Sequence, residues 1–243
     1  MEIGVAGFGR MGKLLVKFLA QDFNVFVYDK LNYHDEIKAL GATPVDLKDV
    51  ASKDLIIPIV PICEFDGLMF EMGKLIKAGA LVADVCSVKE HPVAVMEKYL
   101  RPDVEILGTH PMFGPDSARD TLYGTKVVLC PVRINDERFH NIKAYLKNLG
   151  IRIIEATPMD HDRMVGDSLL LTHFIGRGLI SYGARDLQVD TKGYRRLMKI
   201  LGTVENDSWQ LFEDMNRYNR FSKNVREKFL NALNSIDQKV RGN

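Results

Sequence analysis

Cysteine is scarce in this sequence, and an excess of charge of either sign is absent. The 243 residues contain three cysteines, Cys63, Cys86 and Cys130, and no two of them have CxxC spacing. Because the number is odd and the positions are scattered, we expect neither disulfides nor a metal site, and we predict a reducing, cytoplasmic location. The 33 Lys and Arg against 32 Asp and Glu give a net charge of +1, so we expect no nucleic-acid partner and no membrane partner.

Long hydrophobic runs are missing as well. No stretch approaches the ~20 apolar residues needed to cross a bilayer, and the first residues indicate a strand entering a glycine turn rather than a signal peptide. Hydrophobic residues make up 46% of the chain and charged residues 27%, which is typical of folded globular proteins. We therefore expect a soluble intracellular protein.

The first two-thirds of the chain alternates short apolar runs with segments of helical length. The predicted strands are Ile3–Ala6, Val25–Tyr28, Leu55–Val60, Leu81–Val85, Val104–Leu107 and Val127–Leu129. The predicted helices between them are Gly12–Ala20, Phe65–Lys77 and Lys89–Leu100. Several strands are apolar on both faces, as expected of strands buried between layers of helices. This alternation predicts an α/β fold with a mostly parallel sheet.

A glycine-rich turn connects the first predicted strand to the first predicted helix. It consists of Gly7, Phe8, Gly9, Arg10, Met11 and Gly12. Glycines permit a tight turn and a close approach of the backbone to a pyrophosphate, and the helix N-terminus supplies N–H groups for the phosphates. Asp29, at the end of the second strand, can accept hydrogen bonds from both ribose hydroxyls, which predicts NAD as the cofactor. The neighbouring Lys30 leaves NADP open, because a cation could accommodate a 2′-phosphate.

After Ile154 the pattern becomes helical. Thr157 and Pro158 have the arrangement of an N-cap followed by proline at the first helical position. The segment Met164–Ile180 is apolar almost all round, which predicts burial on every side. A second, one-sided apolar stripe at helical spacing contains Val225, Phe229, Leu233, Ile236 and Val240. So short a helical segment cannot cover so apolar a helix alone, and we therefore predict a homodimer with Met164–Ile180 at its centre. We therefore predict a Rossmann-type dinucleotide-binding domain over 1–156, followed by an all-helical substrate and dimerisation domain over 157–243.

Two polar stretches follow predicted strands and are expected at the carboxyl edge of the sheet, where open α/β folds bind ligands. These stretches are Asp84–Lys89 and Gly108–Pro115. His110 could act as a base near neutral pH, and Ser87 could orient it or hold a substrate oxygen. The alternative for His110 is a strand-end histidine that is hydrogen-bonded to the backbone.

The sequence resembles the prephenate/arogenate dehydrogenase family of tyrosine biosynthesis, and in particular its plant-like arogenate dehydrogenase branch. The resemblance rests on GFGxxG at 7–12, DVxSVK at 84–89, THPMFGP at 109–115, DHD at 160–162, THFIGR at 172–177 and TKGY at 191–194. It implies an NAD(P)-dependent oxidative decarboxylation of arogenate to tyrosine, of prephenate to 4-hydroxyphenylpyruvate, or of both. The substrate would lose a hydride from ring carbon C4 and its ring carboxylate as CO₂.

The resemblance also implies roles for individual residues. His110 would take the proton of the C4 hydroxyl, Ser87 would bond near that hydroxyl, and His173 would be a second catalytic histidine. For His173, a buried histidine bonded to backbone stays open. The implied cofactor-binding residues are the glycine turn, Asp29, Lys30 and Pro61. The implied substrate-binding residues are Ser117, Thr172, Lys192, Arg195 and Asp207.

Several of these assignments have alternatives. Lys192, Arg195 and Arg196 are the candidates for binding the substrate carboxylate, and each could instead lie on a solvated helix face. Asp207 resembles an acid that favours the ammonium group of arogenate over the keto group of prephenate, but it could instead cap a helix that begins at Ser208. Arg177 could bind a carboxylate or hold a dimer together.

His161 and Asp162 are expected in the first turn of their helix, where we predict a capping role. Two other classes of protein also remain. One is a β-hydroxyacid dehydrogenase or imine reductase, which shares this domain arrangement but leaves THPMFGP unexplained. The other is a dinucleotide-binding protein without catalysis, which has no need for His110, Ser87 and His173 together.

Overall fold

The structure is a computed structural model that describes residues 1–242, with the side chain of Thr203 excepted. The chain divides into two compact units, the first being Met1–His161 and the second beginning at Asp162. Among the described residues, no helix combines the length and apolar character that crossing a membrane requires.

The first unit is built on one eight-stranded sheet. Its strands are β1 (Glu2–Ala6), β2 (Asn24–Tyr28), β3 (Thr43–Pro44), β4 (Leu55–Pro58), β5 (Leu81–Asp84), β6 (Glu105–Pro111), β7 (Lys126–Arg133) and β8 (Arg152–Glu155). They lie in the order β3-β2-β1-β4-β5-β6-β7-β8, and every neighbouring pair is parallel except β6 with β7. The chain order reverses between β1 and β4, which places a ligand-binding crevice at the carboxyl ends of these strands.

Helices connect the strands and bury their apolar side chains. They are α1 (Arg10–Leu19), α2 (His34–Ala39), α3 (Leu47–Ala51), α4 (Ile62–Met72), α5 (Glu90–Tyr99) and α6 (Asp136–Asn148). Strand residues such as Ile3, Val5, Val25 and Leu107 are almost completely buried in apolar clusters of this unit. The predicted α/β fold with a mostly parallel sheet is confirmed.

The strand β6 is longer than predicted. It continues through His110 to Pro111, because the antiparallel strand β7 pairs His110 with Val128 and Pro111 with Val127. The histidine therefore lies within a strand near its carboxyl end and not in the loop that follows.

The second unit is helical. Its elements are α7 (Pro158–Val165), which begins in the first unit, a π-helical turn (Gly166–Leu170), α8 (Leu171–Tyr182), α9 (Lys192–Val204), α10 (Trp209–Tyr218) and α11 (Ser222–Arg241). The predicted N-cap is confirmed, because Thr157 Oγ1 accepts the backbone N–H of Asp160 at 3.1 Å. In α8, Gly176 allows close packing, since a Cβ there would lie 2.6 Å from Cγ2 of Val204 on α9.

In the single chain Met164–Ile180 is not buried on every side, so its predicted burial depends on the predicted homodimer. Met164 is 50% exposed and Ile180 is 40% exposed, whereas Val165 and Leu170 are buried. The segment is also interrupted by the π-helical turn. Only one face of the segment is covered, because the second unit offers few other helices to pack against it.

Candidate active site

The glycine turn after β1 has the geometry that a bound pyrophosphate requires. Gly7 has φ of +115°, and a Cβ there would lie 2.0 Å from the carbonyl oxygen of Ile59. A Cβ on Gly12 would lie 2.4 Å from the carbonyl oxygen of Gly7, so this glycine lets α1 approach the strand closely. A Cβ on Gly9 would meet nothing within 4 Å, which leaves open space where the phosphates would approach the backbone.

The remaining residues of the turn differ in their burial and in the contacts that they make. Gly9 is the N-cap of α1 and has no side chain to cap the first-turn N–H groups, so the positive end of the helix dipole stays available to an anion. The side chain of Phe8 is buried in the core, and Met11 is half-buried, so both contribute mainly backbone. The guanidinium of Arg10 forms two hydrogen bonds to Asp116, at 2.8 and 2.9 Å. The turn therefore fits a dinucleotide.

Asp29 follows β2 and is held in place by the backbone. Its Oδ2 accepts the N–H of Phe8 at 2.6 Å, and its Oδ1 accepts the N–H of Leu31 at 2.8 Å. The adjacent Lys30 is paired with Glu64 on the first turn of α4 at 2.9 Å, and this pairing raises the pKa of Lys30. Pro61 is the N-cap residue of α4 and follows β4. The predicted cofactor residues are thus gathered at the carboxyl ends of β1, β2 and β4.

His110 lies on β6 and is 5% exposed. Burial, followed by the nearby His161 and Lys89, lowers the pKa of His110 well below its usual 6.5. A neutral imidazole can accept a proton, so the environment suits a base that works at and below neutral pH. Ser87 follows β5, the strand paired with β6.

A buried ion pair links the ends of β5 and β6 next to His110. Asp84 and Lys89 are both 0% exposed, and the Lys89 ammonium donates to an Asp84 carboxylate oxygen and to the carbonyl oxygen of Thr109. Asp84 also accepts the N–H of Cys86 at 2.9 Å and that of Thr109 at 3.3 Å. Burial raises the pKa of Asp84, and the Lys89 ammonium opposes this rise. Both residues belong to the DVxSVK motif, and no role was predicted for either of them.

His161 contacts the proposed base, which the sequence analysis missed. Its Nε2 lies 2.8 Å from Nδ1 of His110, and the side chain is 1% exposed. The predicted capping role is wrong for this residue. Thr157 caps the helix, and Nε2 of the His161 imidazole contacts His110 instead. Its place in the DHD motif was a signal, but the distance of 51 residues along the chain concealed the contact.

A second polar cluster lies within the helical unit. Nε2 of His173 lies 3.7 Å from Oδ2 of Asp207, and a guanidinium nitrogen of Arg177 donates to the carbonyl oxygen of Asp207. Arg177 also stacks on Trp209, 5.6 Å from the ring centroid. The pKa of His173 lies below its usual value. Burial lowers it most, the Asp207 carboxylate opposes this, and the Arg177 guanidinium lowers it further. The alternative in which Asp207 caps a helix is wrong, since the N-cap of α10 is Ser208, whose Oγ accepts the N–H of Leu211 at 3.1 Å.

The other predicted substrate residues already have local roles. Ser117 is exposed and closes a turn by accepting the N–H of Gly114 at 3.0 Å. The hydroxyl of Thr172 donates to the carbonyl oxygen of Ser168 at 2.9 Å within the helix. Lys192 and Arg195 are exposed on the first turn of α9, and Arg195 lies 3.7 Å from Asp190.

Three buried side-chain atoms in the described part of the chain have no hydrogen-bond partner. They are Oγ of Ser87, Nδ1 of His173 and Nε of Arg177. Most buried polar atoms in proteins are hydrogen-bonded, so each unpaired atom requires an explanation, such as contact with a bound ligand. All three belong to motifs that the sequence analysis singled out.

Comparisons with known proteins identify the family of the chain. Residues 21–155 match the family described as "Prephenate dehydrogenase, nucleotide-binding domain", and residues 179–243 match "TYRAAT1-like, C-terminal domain". Arogenate dehydrogenase 2, chloroplastic, of Arabidopsis thaliana is 31% identical over 254 residues, which cover 100% of this chain and 70% of that protein.

Two further proteins are similar. The probable arogenate/prephenate dehydrogenase of Methanocaldococcus jannaschii is 30% identical over 98% of this chain and 56% of its own length. The crystal structure of prephenate dehydrogenase from A. aeolicus in complex with hydroxyphenyl propionate and NAD⁺ has a TM-score of 0.79 at 21% identity, covering 99% of this chain and 90% of that one. The domain match over more than half of the chain and the full-length similarity to the Arabidopsis enzyme place this protein in the prephenate dehydrogenase family.

Proposed function

We propose that this protein catalyses the NAD⁺-dependent oxidative decarboxylation of arogenate to tyrosine in tyrosine biosynthesis, with prephenate as a second substrate. The observation that carries the proposal is the unpaired buried hydroxyl of Ser87 after β5, the strand paired with the one that carries His110, in a member of this family. A β-hydroxyacid dehydrogenase would leave the THPMFGP stretch around His110 without a purpose. A dinucleotide-binding protein without catalysis would have no reason to bury an unpaired Ser87 hydroxyl.

The glycine turn and Asp29 would hold the cofactor in the first domain, for which we keep the proposed boundaries 1–156. Backbone N–H groups at the start of α1 would bind the pyrophosphate, and Asp29 would accept the ribose hydroxyls. Bound NAD⁺ supplies the acceptor for the hydride that leaves ring carbon C4. Arg10 and Pro61 would flank this position.

His110 would act as the general base. It accepts the proton of the C4 hydroxyl while C4 loses its hydride, so the carbon becomes a carbonyl. The ring carboxylate then leaves as CO₂, its electron pair enters the ring, and the carbonyl oxygen regains the proton from His110. Arogenate and NAD⁺ thus give tyrosine, NADH and CO₂. Ser87 would hold the same oxygen through its unpaired hydroxyl.

The helical domain, proposed as 157–243, would recognise the rest of the substrate. The carboxylate of Asp207 would attract the ammonium group of arogenate and disfavour prephenate, which carries a keto group at that carbon. His173 would contribute its unpaired Nδ1, and Thr172 lies next to it in the sequence. For a substrate carboxylate we propose Lys192 or Arg195, since both are cations in the TKGYR segment. Ser117 would contribute from the turn after β6.

We propose NAD⁺ as the preferred cofactor over NADP⁺. The Asp29 carboxylate would repel a 2′-phosphate, and Lys30 is already paired with Glu64. The Lys30 ammonium is therefore a weaker attraction for a 2′-phosphate than the sequence alone suggests.

We also propose a homodimer that works in the cytoplasm. Apolar side chains remain exposed along α11, including Leu230, Leu233, Ile236 and Val240. A second copy of this surface would cover them in a symmetric interface. The three cysteines, all among the described residues, form no disulfide, which suits a reducing compartment.

The function is tested by following NAD⁺ reduction with arogenate, prephenate and a 3-hydroxy acid. We expect turnover with arogenate, slower turnover with prephenate and none with the 3-hydroxy acid. A protein that oxidises only the 3-hydroxy acid would contradict the proposal. The Asp207→Asn variant should lower the ratio of arogenate to prephenate efficiency, and an unchanged ratio would remove Asp207 from substrate choice.

A further inference from the structure

The imidazole of His161 is in hydrogen-bonding contact with the proposed base. Nε2 of His161 lies 2.8 Å from Nδ1 of His110, with the ring centroids 5.0 Å apart and the planes inclined by 67°. The exposed fractions of the side chains are 1% for His161 and 5% for His110. In a contact between two such ring nitrogens, one ring donates its N–H and the other accepts.

The backbone fixes where His161 lies. The N–H of Ala156, just before α7, donates to the carbonyl oxygen of Leu129 on β7 at 3.1 Å. Leu129 is paired with Thr109, the neighbour of His110 on β6. The N-cap Thr157 then sets the first turn of α7, and the N–H of His161 donates to its carbonyl oxygen at 2.9 Å. His161 is thus tied to the strand beside the one that carries the base.

We propose that His161 is a positioning residue that accepts a hydrogen bond from Nδ1–H of His110 and thereby leaves the lone pair of His110 on Nε2. The proposal rests on the role of His110 as the base. With the opposite direction of donation, Nε2 of His110 would carry the hydrogen and could not accept the hydroxyl proton. The direction of this one hydrogen bond therefore decides whether His110 can act.

An imidazole beside the base has a different effect from a carboxylate. A carboxylate beside His110 would stabilise the imidazolium and raise the pKa of the base. The groups that face His110 are instead His161 on α7 and Lys89 before α5, which is paired with Asp84 at the end of β5. His161 therefore orients the base without favouring its protonated form, and the base stays competent in mildly acidic solution.

The tautomer can be measured without catalysis. Long-range ¹H–¹⁵N correlation spectra of the substrate-free protein distinguish a protonated from an unprotonated ring nitrogen, and the His110→Ala variant assigns the signals. We expect the proton of His110 on Nδ1 and an unprotonated Nε2. A proton on Nε2 of His110 overturns the proposal even if the protein is an active dehydrogenase.

Two substitutions separate positioning from structure. His161→Gln keeps an acceptor at a similar reach, whereas His161→Leu removes it, and His140→Gln on the exposed face of α6 serves as the control. We expect His161→Leu to lower kcat about 10- to 100-fold, less than the ~10²- to 10⁴-fold typical of losing the base itself, with the Kd for NAD⁺ from calorimetry unchanged. His161→Gln should recover most of kcat, and the control should match the parent protein.

The pH profile gives a readout that a purely structural role would not move. Because His161 lowers the pKa of His110, His161→Gln should shift the acid limb of kcat/KM to higher pH. The proposal is overturned if the acid limb of kcat/KM is unshifted in His161→Gln and kcat is that of the parent protein in His161→Leu. If His161→Leu does not fold, the tautomer and the His161→Gln profile decide. A failure of the proposed function shows itself separately, as an active His110→Ala variant or an inactive parent protein.

Discussion

At the scale of single residues, two histidines are kept neutral by burial. The pKa of His110 lies well below 6.5, and that of His173 is also lowered. A base that titrates below its usual range keeps its lone pair as the solution becomes mildly acidic. We therefore expect kcat/KM for arogenate to stay level through pH 6.5 and to fall only below it. An acid limb centred at or above pH 6.5 would contradict the environment described for His110.

The same lowered pKa values link stability to pH. Below pH 6.5 the unfolded chain binds protons at these histidines that the folded chain does not bind, so the free energy of unfolding falls. Their contribution to stability is present above pH 6.5 and is lost as the pH falls through the folded-state values. Urea unfolding on both sides of pH 6.5 measures this, and the His110→Ala variant should show a weaker dependence.

The buried pair of Asp84 and Lys89 leads to a third prediction at this scale. Lys89→Met leaves a fully buried carboxylate without its cation, which typically costs about 3–5 kcal/mol. We expect a free energy of unfolding that is lower by this amount in urea denaturation. Lys98→Met is the matched control, because Lys98 pairs with Asp66 at the surface, and it should change little. Equal stability of the two variants would contradict the structural role of the buried pair.

The sequence patterns indicated candidate site residues but not the contacts between them. His110, Ser87 and the glycine turn were recognisable because each follows a strand in a short motif. His161 was assigned to capping together with Asp162, because both were expected in the first turn of their helix. The contact with His110 depends on how β7 and β8 place α7, and spacing along one sequence does not contain that information.

At the scale of elements, apolar strands were predictable and polar or short elements were not. All six predicted strands exist, because buried parallel strands leave uninterrupted apolar runs. The helix α6 was missed, since none of its residues is fully buried and its periodicity is weak. The strands β3 and β8 lie at the edges of the sheet, where few buried residues mark them.

Cofactor choice belongs to this scale, because it depends on the loop after β2 and the first turn of α4. We expect the protein to bind NAD⁺ more tightly than NADP⁺. Asp29→Ser should reduce this preference about tenfold or more, because it removes the repulsion between the carboxylate and the 2′-phosphate. A repulsion of about 1.4 kcal/mol corresponds to a tenfold change in affinity. Glu64→Gln should also reduce the preference, because it frees Lys30. The control is Glu71→Gln, on an exposed position of the same helix. Calorimetric Kd values for both cofactors measure the preference, and a parent protein that binds NADP⁺ more tightly would contradict it.

At the scale of the whole molecule, the exposed apolar stripe on α11 predicts assembly. Ile236 is 58% exposed and Leu233 is 46% exposed in the single chain. Light scattering should give twice the mass of the 27.5 kDa chain. Ile236→Glu should yield monomers by placing a charge in the interface, whereas Lys239→Glu on the same helix should not. A parent protein that is monomeric at micromolar concentration would leave the stripe without the partner proposed for it.

The account stands on one chemical claim, that oxidation at C4 and loss of the ring carboxylate occur together and depend on His110. The most direct measurement follows NADH, CO₂ and tyrosine in a single reaction with arogenate, for the parent protein and for His110→Ala. The account predicts equal amounts of all three products from the parent, and a rate about 10²- to 10⁴-fold lower in the variant with unchanged NAD⁺ binding. Formation of NADH without CO₂, or near-normal turnover by His110→Ala, would contradict it.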